Sequence, residues 1–153
     1  MKKILMTTLL ATAFLVYGCS DGAKKRAETP TTDPVETTTQ EEVHGTMVTE
    51  VSLTTPLDPA MVTKGQELYD VKCASCHKLD ETRLVGPGWK GVTTKRQPEW
   101  IMNMILNVDM MLEKDPEAQK LLEQCLVRMP NQNLSEPDAR SVLEFMRKND
   151  GVR

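Results

Sequence analysis

Apolar positions recur at helical spacing through the second half of the chain, and the polar residues between them carry helix start signals. Asp58-Pro59 sets an N-cap before a proline at the first helical position, and Val62, Gly65, Leu68, Tyr69 and Val71 then carry an apolar face toward residue 73. Pro98 opens a second helix over Glu99-Trp100-Ile101-Met102-Asn103-Met104-Ile105-Leu106, and Asp115-Pro116 opens a third with Leu121, Leu122 and Leu126 on its face. Ser135-Glu136-Pro137-Asp138 resembles a capping box with Asp in the place of Glu or Gln. The fourth helix places Ala139, Val142, Leu143 and Met146 at helical spacing and stops near Gly151. Strand alternation is absent, so the pattern predicts an all-α domain of about four helices over residues 59–153.

Two earlier stretches break that pattern. Lys2 and Lys3 precede a short apolar run from Ile4 to Tyr17, too short for a comfortable membrane span and in keeping with an export signal. The run ends in Val16-Tyr17-Gly18-Cys19-Ser20. A small residue before a cysteine at this place is similar to a bacterial lipobox, which makes residues 1–18 a lipoprotein signal peptide and Cys19 the lipidated residue. An ordinary secretory signal with Cys19 merely nearby is the alternative. Residues 19–58 follow, rich in Thr, Pro and Glu with almost nothing to bury, and such composition stays disordered because ordering entropy is not offset. This segment predicts a tether with a root-mean-square reach of roughly 35 Å, and Lys24, Lys25 and Arg26 stand where they can meet anionic headgroups. His44 lies in the tether and is given no ligand role.

Charge changes the picture little. The chain has a formal net charge of −3, but from Pro59 onward fourteen basic residues meet fourteen acidic ones, so the imbalance belongs to the tether. A neutral head gives no reason to expect nucleic acid as a partner.

The candidate chemistry lies in Cys73-Ala74-Ser75-Cys76-His77, a Cys-x-x-Cys-His sequence that reads as the attachment site of a c-type haem. Two thiols spaced by two residues can add across the two vinyl groups, and the adjoining histidine comes up under the iron as an axial ligand. A zinc site would need four ligands, and only Cys19, Cys125 and His44 remain to supply them. A thioredoxin-like redox pair would need a βαβ setting that the pattern does not offer. Haem loading outside the cytoplasm agrees with the export signal. Of the four cysteines one is left over, Cys125, which sits among Leu121, Leu122 and Leu126 and reads as a buried helical residue, the alternative being pairing between chains.

The second axial ligand must come from ten methionines. Met129 in Arg128-Met129-Pro130 is favoured, because it falls between helices and the proline after it disfavours α geometry. Met110 and Met111, expected in a loop before Asp115, compete with it, whereas Met102, Met104 and Met146 sit at helical spacing as core residues. A thioether opposite an imidazole would raise the reduction potential.

Gly65-Gln66-Glu67-Leu68-Tyr69, the Cys73–His77 motif, Gly86-Pro87-Gly88, Met129-Pro130 and a final helix together resemble a bacterial class I cytochrome c over about residues 61–149. The resemblance implies an N-terminal helix crossing a C-terminal one, with Gly65 at the crossing near Phe145. It also implies that the Pro87 carbonyl accepts from the second nitrogen of His77. Trp89 is expected in the core or at a haem edge. The stretch from Trp100 to Gln124 is longer than in a minimal member and is similar to small cytochromes of the Bacteroidetes type, some encoded near nitrous oxide reductase.

These readings converge on a membrane-tethered monohaem carrier in the bacterial cell envelope, facing the periplasm. It would pass single electrons between membrane-bound or periplasmic redox proteins, be held to the bilayer by its lipid, and turn over no small-molecule substrate. The alternatives are a haem protein whose open sixth position binds a diatomic gas or peroxide, with Arg83 or Arg96 assisting, and a haem module dedicated to one terminal reductase such as nitrous oxide reductase.

Overall fold

A computed structural model of the chain describes residues 45–153; Cys19, His44 and the expected signal peptide at residues 1–18 lie outside them. Six α-helices follow in order: α1 Pro59–Leu68, α2 Val92–Lys95, α3 Pro98–Leu106, α4 Val108–Lys114, α5 Pro116–Cys125 and α6 Glu136–Asn149. No strand occurs among the described residues, only an isolated bridge between His77 and Arg83.

The start signals do what the sequence implies. The Asp58 carboxylate accepts from the amides of Ala60 and Met61, and Asp115 accepts from those of Glu117 and Ala118, satisfying donors that the first helical turn leaves orphaned. Ser135 caps α6 through the amide of Asp138, and the Asp138 carboxylate accepts from the Ser135 hydroxyl while pairing with Lys64 of α1.

The packing that organises the domain is the crossing of α1 on α6. Gly65 is buried there, and a Cβ on it would stand 2.1 Å from the Ser141 carbonyl oxygen and 2.8 Å from the Phe145 Cβ. Only the missing side chain lets the two backbones approach this closely. One core cluster, built on Tyr69, Ile101, Met102, Leu143 and Phe145, joins α1, α3 and α6. A second, of Val108, Met111, Leu112 and Ala118, joins α4 to α5, with Trp100, Met104, Leu122 and Met129 packed against it.

Several expectations need correction. Six helices replace four, because α2 forms as a short extra turn and Asn107 divides the Trp100–Gln124 stretch into α3 and α4. Met110 and Met111 therefore belong to α4 and not to a loop, and Met111 is buried in the second cluster. Leu126 does not extend the face of α5: the helix ends at Cys125, and Leu126 turns left-handed (φ 59°) and is 87% exposed. Val71, placed on the inner face of α1 by helical spacing, is 84% exposed, because a π-helical turn over Tyr69–Cys73 rotates the register.

The expected disordered tether also ends too late at residue 58. From Thr46 the chain lies along α3 and α6 as a strap. Asn103 and Asn107 donate to the carbonyls of Val48 and Thr46, the Val48 amide donates to Asn103, and that of Val51 to Glu99. Arg140 reaches the Ser52 carbonyl, Arg147 that of Thr54, and the Asp58 amide donates to Glu144. Glu144 is fully buried between the two arginines, 2.6 Å from Arg140 and 2.9 Å from Arg147. Composition pointed to disorder because the strap buries little of itself beyond Val48 and Val51; its order comes from backbone groups bonded to side chains of distant helices.

Candidate haem site

The π turn sets up the motif. It follows α1 without a break, and the Ala74 amide closes onto the Tyr69 carbonyl at 2.9 Å. The amides of Cys76 and His77 then both turn back to the Cys73 carbonyl, at 3.0 and 2.9 Å. Cys73, Cys76 and His77 are thereby gathered in one tight turn. Tyr69, itself buried, donates its hydroxyl to the His77 carbonyl at 2.8 Å and anchors that turn to the core.

The imidazole of His77 is held on several sides. Its Nδ1 lies 2.9 Å from the Pro87 carbonyl oxygen. A carbonyl only accepts, so Nδ1 must carry the proton and Nε2 keeps its lone pair for a ligand. Gly86 lies against the ring so closely that a Cβ would stand 2.4 Å from Cε1. Trp89, buried in the core, packs beside it with ring centroids 5.5 Å apart. Tyr69 and Phe145 continue the aromatic packing behind Trp89. Burial holds the His77 pKa below its ordinary value, against the opposing pull of the Pro87 hydrogen bond, so the ring is neutral as metal ligation requires.

A cavity of about 300 Å³ opens between the two core clusters. Cys76, His77, Gly86, Pro87 and Trp89 line it on one side, and Leu112, Leu122, Cys125, Met129 and Pro130 on another. Three methionines reach it: Met104, Met129 and Met146. Met129 comes from the segment between α5 and α6, partly buried, while Met110 and Met111 do not line the cavity. Cys125 is half-buried and belongs to the cavity wall, a place for which its sequence context gave no signal. Before haem is attached, burial pushes the Cys73 thiol up to about 11, with Lys72 pulling the other way. Among the described residues no group of three or more His, Cys, Asp and Glu stands together as a metal-ion site would need.

The residues present fit a haem. The walls are predominantly apolar, the ring face of His77 is cleared by a glycine, and the lining carries Lys90, Lys95, Arg96 and Arg128 but no acidic residue, as a group with two carboxylates would favour.

Residues 62–150 match the cytochrome c family. The chain belongs to it. No curated protein matches the chain. Among solved structures, cytochrome c from Rhodothermus marinus is 36% identical with a TM-score of 0.66, covering 69% of this chain and 90% of its own. An engineered form of that cytochrome bound to a carbene intermediate is 35% identical with a TM-score of 0.62, covering 67% and 88%. A cytochrome c domain from Pseudomonas putida is 29% identical with a TM-score of 0.50, covering 56% and 87%.

This cytochrome therefore binds one covalently attached haem c, and Cys73 and Cys76 are the cysteines of its attachment motif. Membership also implies haem-based electron transfer and, for bacterial members, a place typically outside the cytoplasm. Sequence reasoning missed the π turn, the Tyr69 anchor and the Gly86 and Trp89 contacts. Through their resemblance, Gly86-Pro87-Gly88 and Gly65-Gln66-Glu67-Leu68-Tyr69 pointed at the segments that supply the Gly86 and Tyr69 contacts, but not at the contacts themselves.

Proposed function

We propose that this cytochrome is a membrane-tethered carrier of single electrons between respiratory redox partners, with His77 and Met129 as the axial ligands and Cys19 as the lipid anchor. The observation that carries the ligand assignment is that His77, its Nε2 left free by the Nδ1 contact to Pro87, lines the same cavity as Met129. When bound, the haem supplies a one-electron ferric/ferrous couple.

The chain's own residues do the rest. Pro87 fixes the tautomer and strengthens the imidazole as a donor. Gly86 and Trp89 hold the ring in one orientation, and Tyr69 holds the turn that bears it. The apolar walls exclude water, which favours the less charged ferrous state and raises the potential, as the Met129 thioether does. Both ligands stay in place through the cycle, so no proton transfer or open coordination position is involved. Anchoring through Cys19 would raise the local concentration near membrane-bound partners.

The test is the weak far-red sulfur-to-iron absorption of the oxidised protein, wild type beside Met129→Ala. The band is expected in the wild type and absent from the variant. A band that survives moves the ligand to Met104 or Met146, the other methionines of the cavity. High-spin iron that binds carbon monoxide readily in the reduced wild type would overturn the carrier reading. It would favour the gas- or peroxide-binding alternative, which the carbene-bound state of the engineered Rhodothermus marinus relative keeps in view.

A further inference from the structure

Residues 126–135 run from α5 to α6 without forming a helix, and Met129 lies in their midst. Backbone entropy works against any single placement of such a stretch, so bonds to the rest of the domain must hold it. Its internal bonds are local: Asn131 accepts from the Asn133 amide, and Gln132 donates to the Pro130 carbonyl. Among the described residues, two hydrogen-bonded links tie it to elements other than α5 and α6. One is the ion pair of Arg128 with Asp109 of α4. Those side chains are 50% and 63% exposed, and exposed pairs contribute little.

The other link reaches the haem motif. The Lys72 ammonium donates to the Gln132 carbonyl at 3.1 Å, between residues 60 positions apart. Lys72 is half-buried, and the π turn over Tyr69–Cys73 places it so. The turn that leaves Val71 84% exposed lays the next side chain against the later segment. A charged donor makes this bond stronger than a neutral one would be. Lys72 directly precedes Cys73, and Gln132 follows Met129 by three residues. The bond therefore joins the turn that attaches the haem to the segment that carries Met129, by a route independent of the iron.

We propose that Lys72 is a positioning residue for Met129: its ammonium latches the Met129 segment to the attachment turn and so keeps the thioether at ferric iron. The proposal rests on the His77/Met129 assignment above and adds a residue to it. The latch matters most in the oxidised protein, because a thioether favours ferrous iron and holds ferric iron less firmly. With the latch closed, a thioether that leaves the iron stays close to it, and its high effective concentration favours return over capture of another ligand.

Imidazole added to the oxidised, haem-loaded full chain tests this, because it competes with the thioether for ferric iron and bleaches the far-red band as it binds. Lys72→Gln keeps a polar side chain but loses the charge and the reach. It is expected to bind imidazole roughly tenfold more tightly than the wild type, the factor set by one charge-assisted hydrogen bond at the low end of its range. Lys72→Arg restores a cationic donor and is expected to return the affinity to within about threefold of wild type. Lys78→Gln removes an exposed lysine on the other side of the motif and is expected to leave the affinity unchanged. Helical circular dichroism in denaturant is followed alongside. A residue that served stability alone would move the unfolding midpoint and leave imidazole binding where it was.

A Lys72→Gln protein that binds imidazole within about twofold of wild type overturns the proposal. So does a Lys78→Gln protein that shifts as far as Lys72→Gln, because the effect then belongs to net charge. Should Lys72→Gln fail to load haem, Lys72→Ala is read in its place with the same two outcomes. The ligand assignment is judged apart. A wild type without the far-red band, or a band that survives Met129→Ala, refutes that assignment. A wild type with Met129 on the iron and an affinity that ignores Lys72→Gln refutes the latch alone.

Discussion

Replacing Gly86 with alanine presses directly on the haem ligand without removing any bond by design. The new Cβ would stand 2.4 Å from Cε1 of His77, 2.8 Å from Nδ1 and 2.9 Å from Nε2. Non-bonded carbon atoms settle at about 3.5–4.0 Å, so the ring or the loop must give way by about 1 Å. A retreat of that size takes Nδ1 from 2.9 Å to beyond about 3.5 Å from the Pro87 carbonyl, where a hydrogen bond no longer exists. Such a bond is worth about 0.5–1.5 kcal/mol. Because it strengthens the imidazole as a donor and so favours ferric iron, its loss raises the reduction potential. Only the part of that energy that differs between ferric and ferrous iron moves the potential, so at 59 mV for each tenfold change in a one-electron equilibrium the rise is at most about 20–60 mV. The assay is spectroelectrochemical titration of the haem-loaded protein, with the hyperfine-shifted His77 resonances reporting the ring plane. Gly88→Ala is the comparison, because its Cβ would strike the backbone of Asp80 and Glu81 and not the imidazole. It should lower stability with a smaller change in potential. A Gly86→Ala protein that loads haem, keeps its potential within about 10 mV and shows unshifted His77 signals would refute the reasoning.

Gly65→Ala should destabilise the domain by about 1–3 kcal/mol in chemical denaturation, since overpacking at the α1–α6 crossing outweighs the helix propensity gained from alanine. Glu144→Gln should cost about 3–5 kcal/mol by leaving Arg140 and Arg147 unpaired against the buried site, and amide exchange should quicken in the strap at residues 48–58. Burial would raise the Glu144 pKa, but the Arg140 and Arg147 hydrogen bonds and charges prevail and hold it below the ordinary carboxylate range. Its stabilising contribution is therefore complete above that range and lost as the pH falls through the lower, native value, so acid unfolding of the wild type should steepen there while the Gln variant shows no such step. Leu126→Gly should raise stability by about 1 kcal/mol through relief of the left-handed strain, measured as a higher denaturation midpoint.

The one-dimensional pattern determined a good deal. Helix starts at Asp58, Asp115 and Ser135 were legible because a cap acts on amides two or three residues away, and the Cys73–His77 motif was legible because its chemistry fits within five residues. Gly65 could be placed at a helix crossing by resemblance to a family in which that contact recurs. The tertiary structure decided what depends on residues distant in sequence. Val71 faces solvent because a π turn shifts the register, and no local signal marks that turn. The segment around residues 46–58 is ordered by Asn103, Asn107, Arg140 and Arg147, some fifty to ninety positions away. Met129 stands apart from Met110 and Met111 only because folding brings it to the cavity wall with His77, which Met104 and Met146 also reach and Met110 and Met111 do not. Leu126 is a case of the same kind: helical spacing put that leucine inside, and the left-handed turn that ends α5 put it outside.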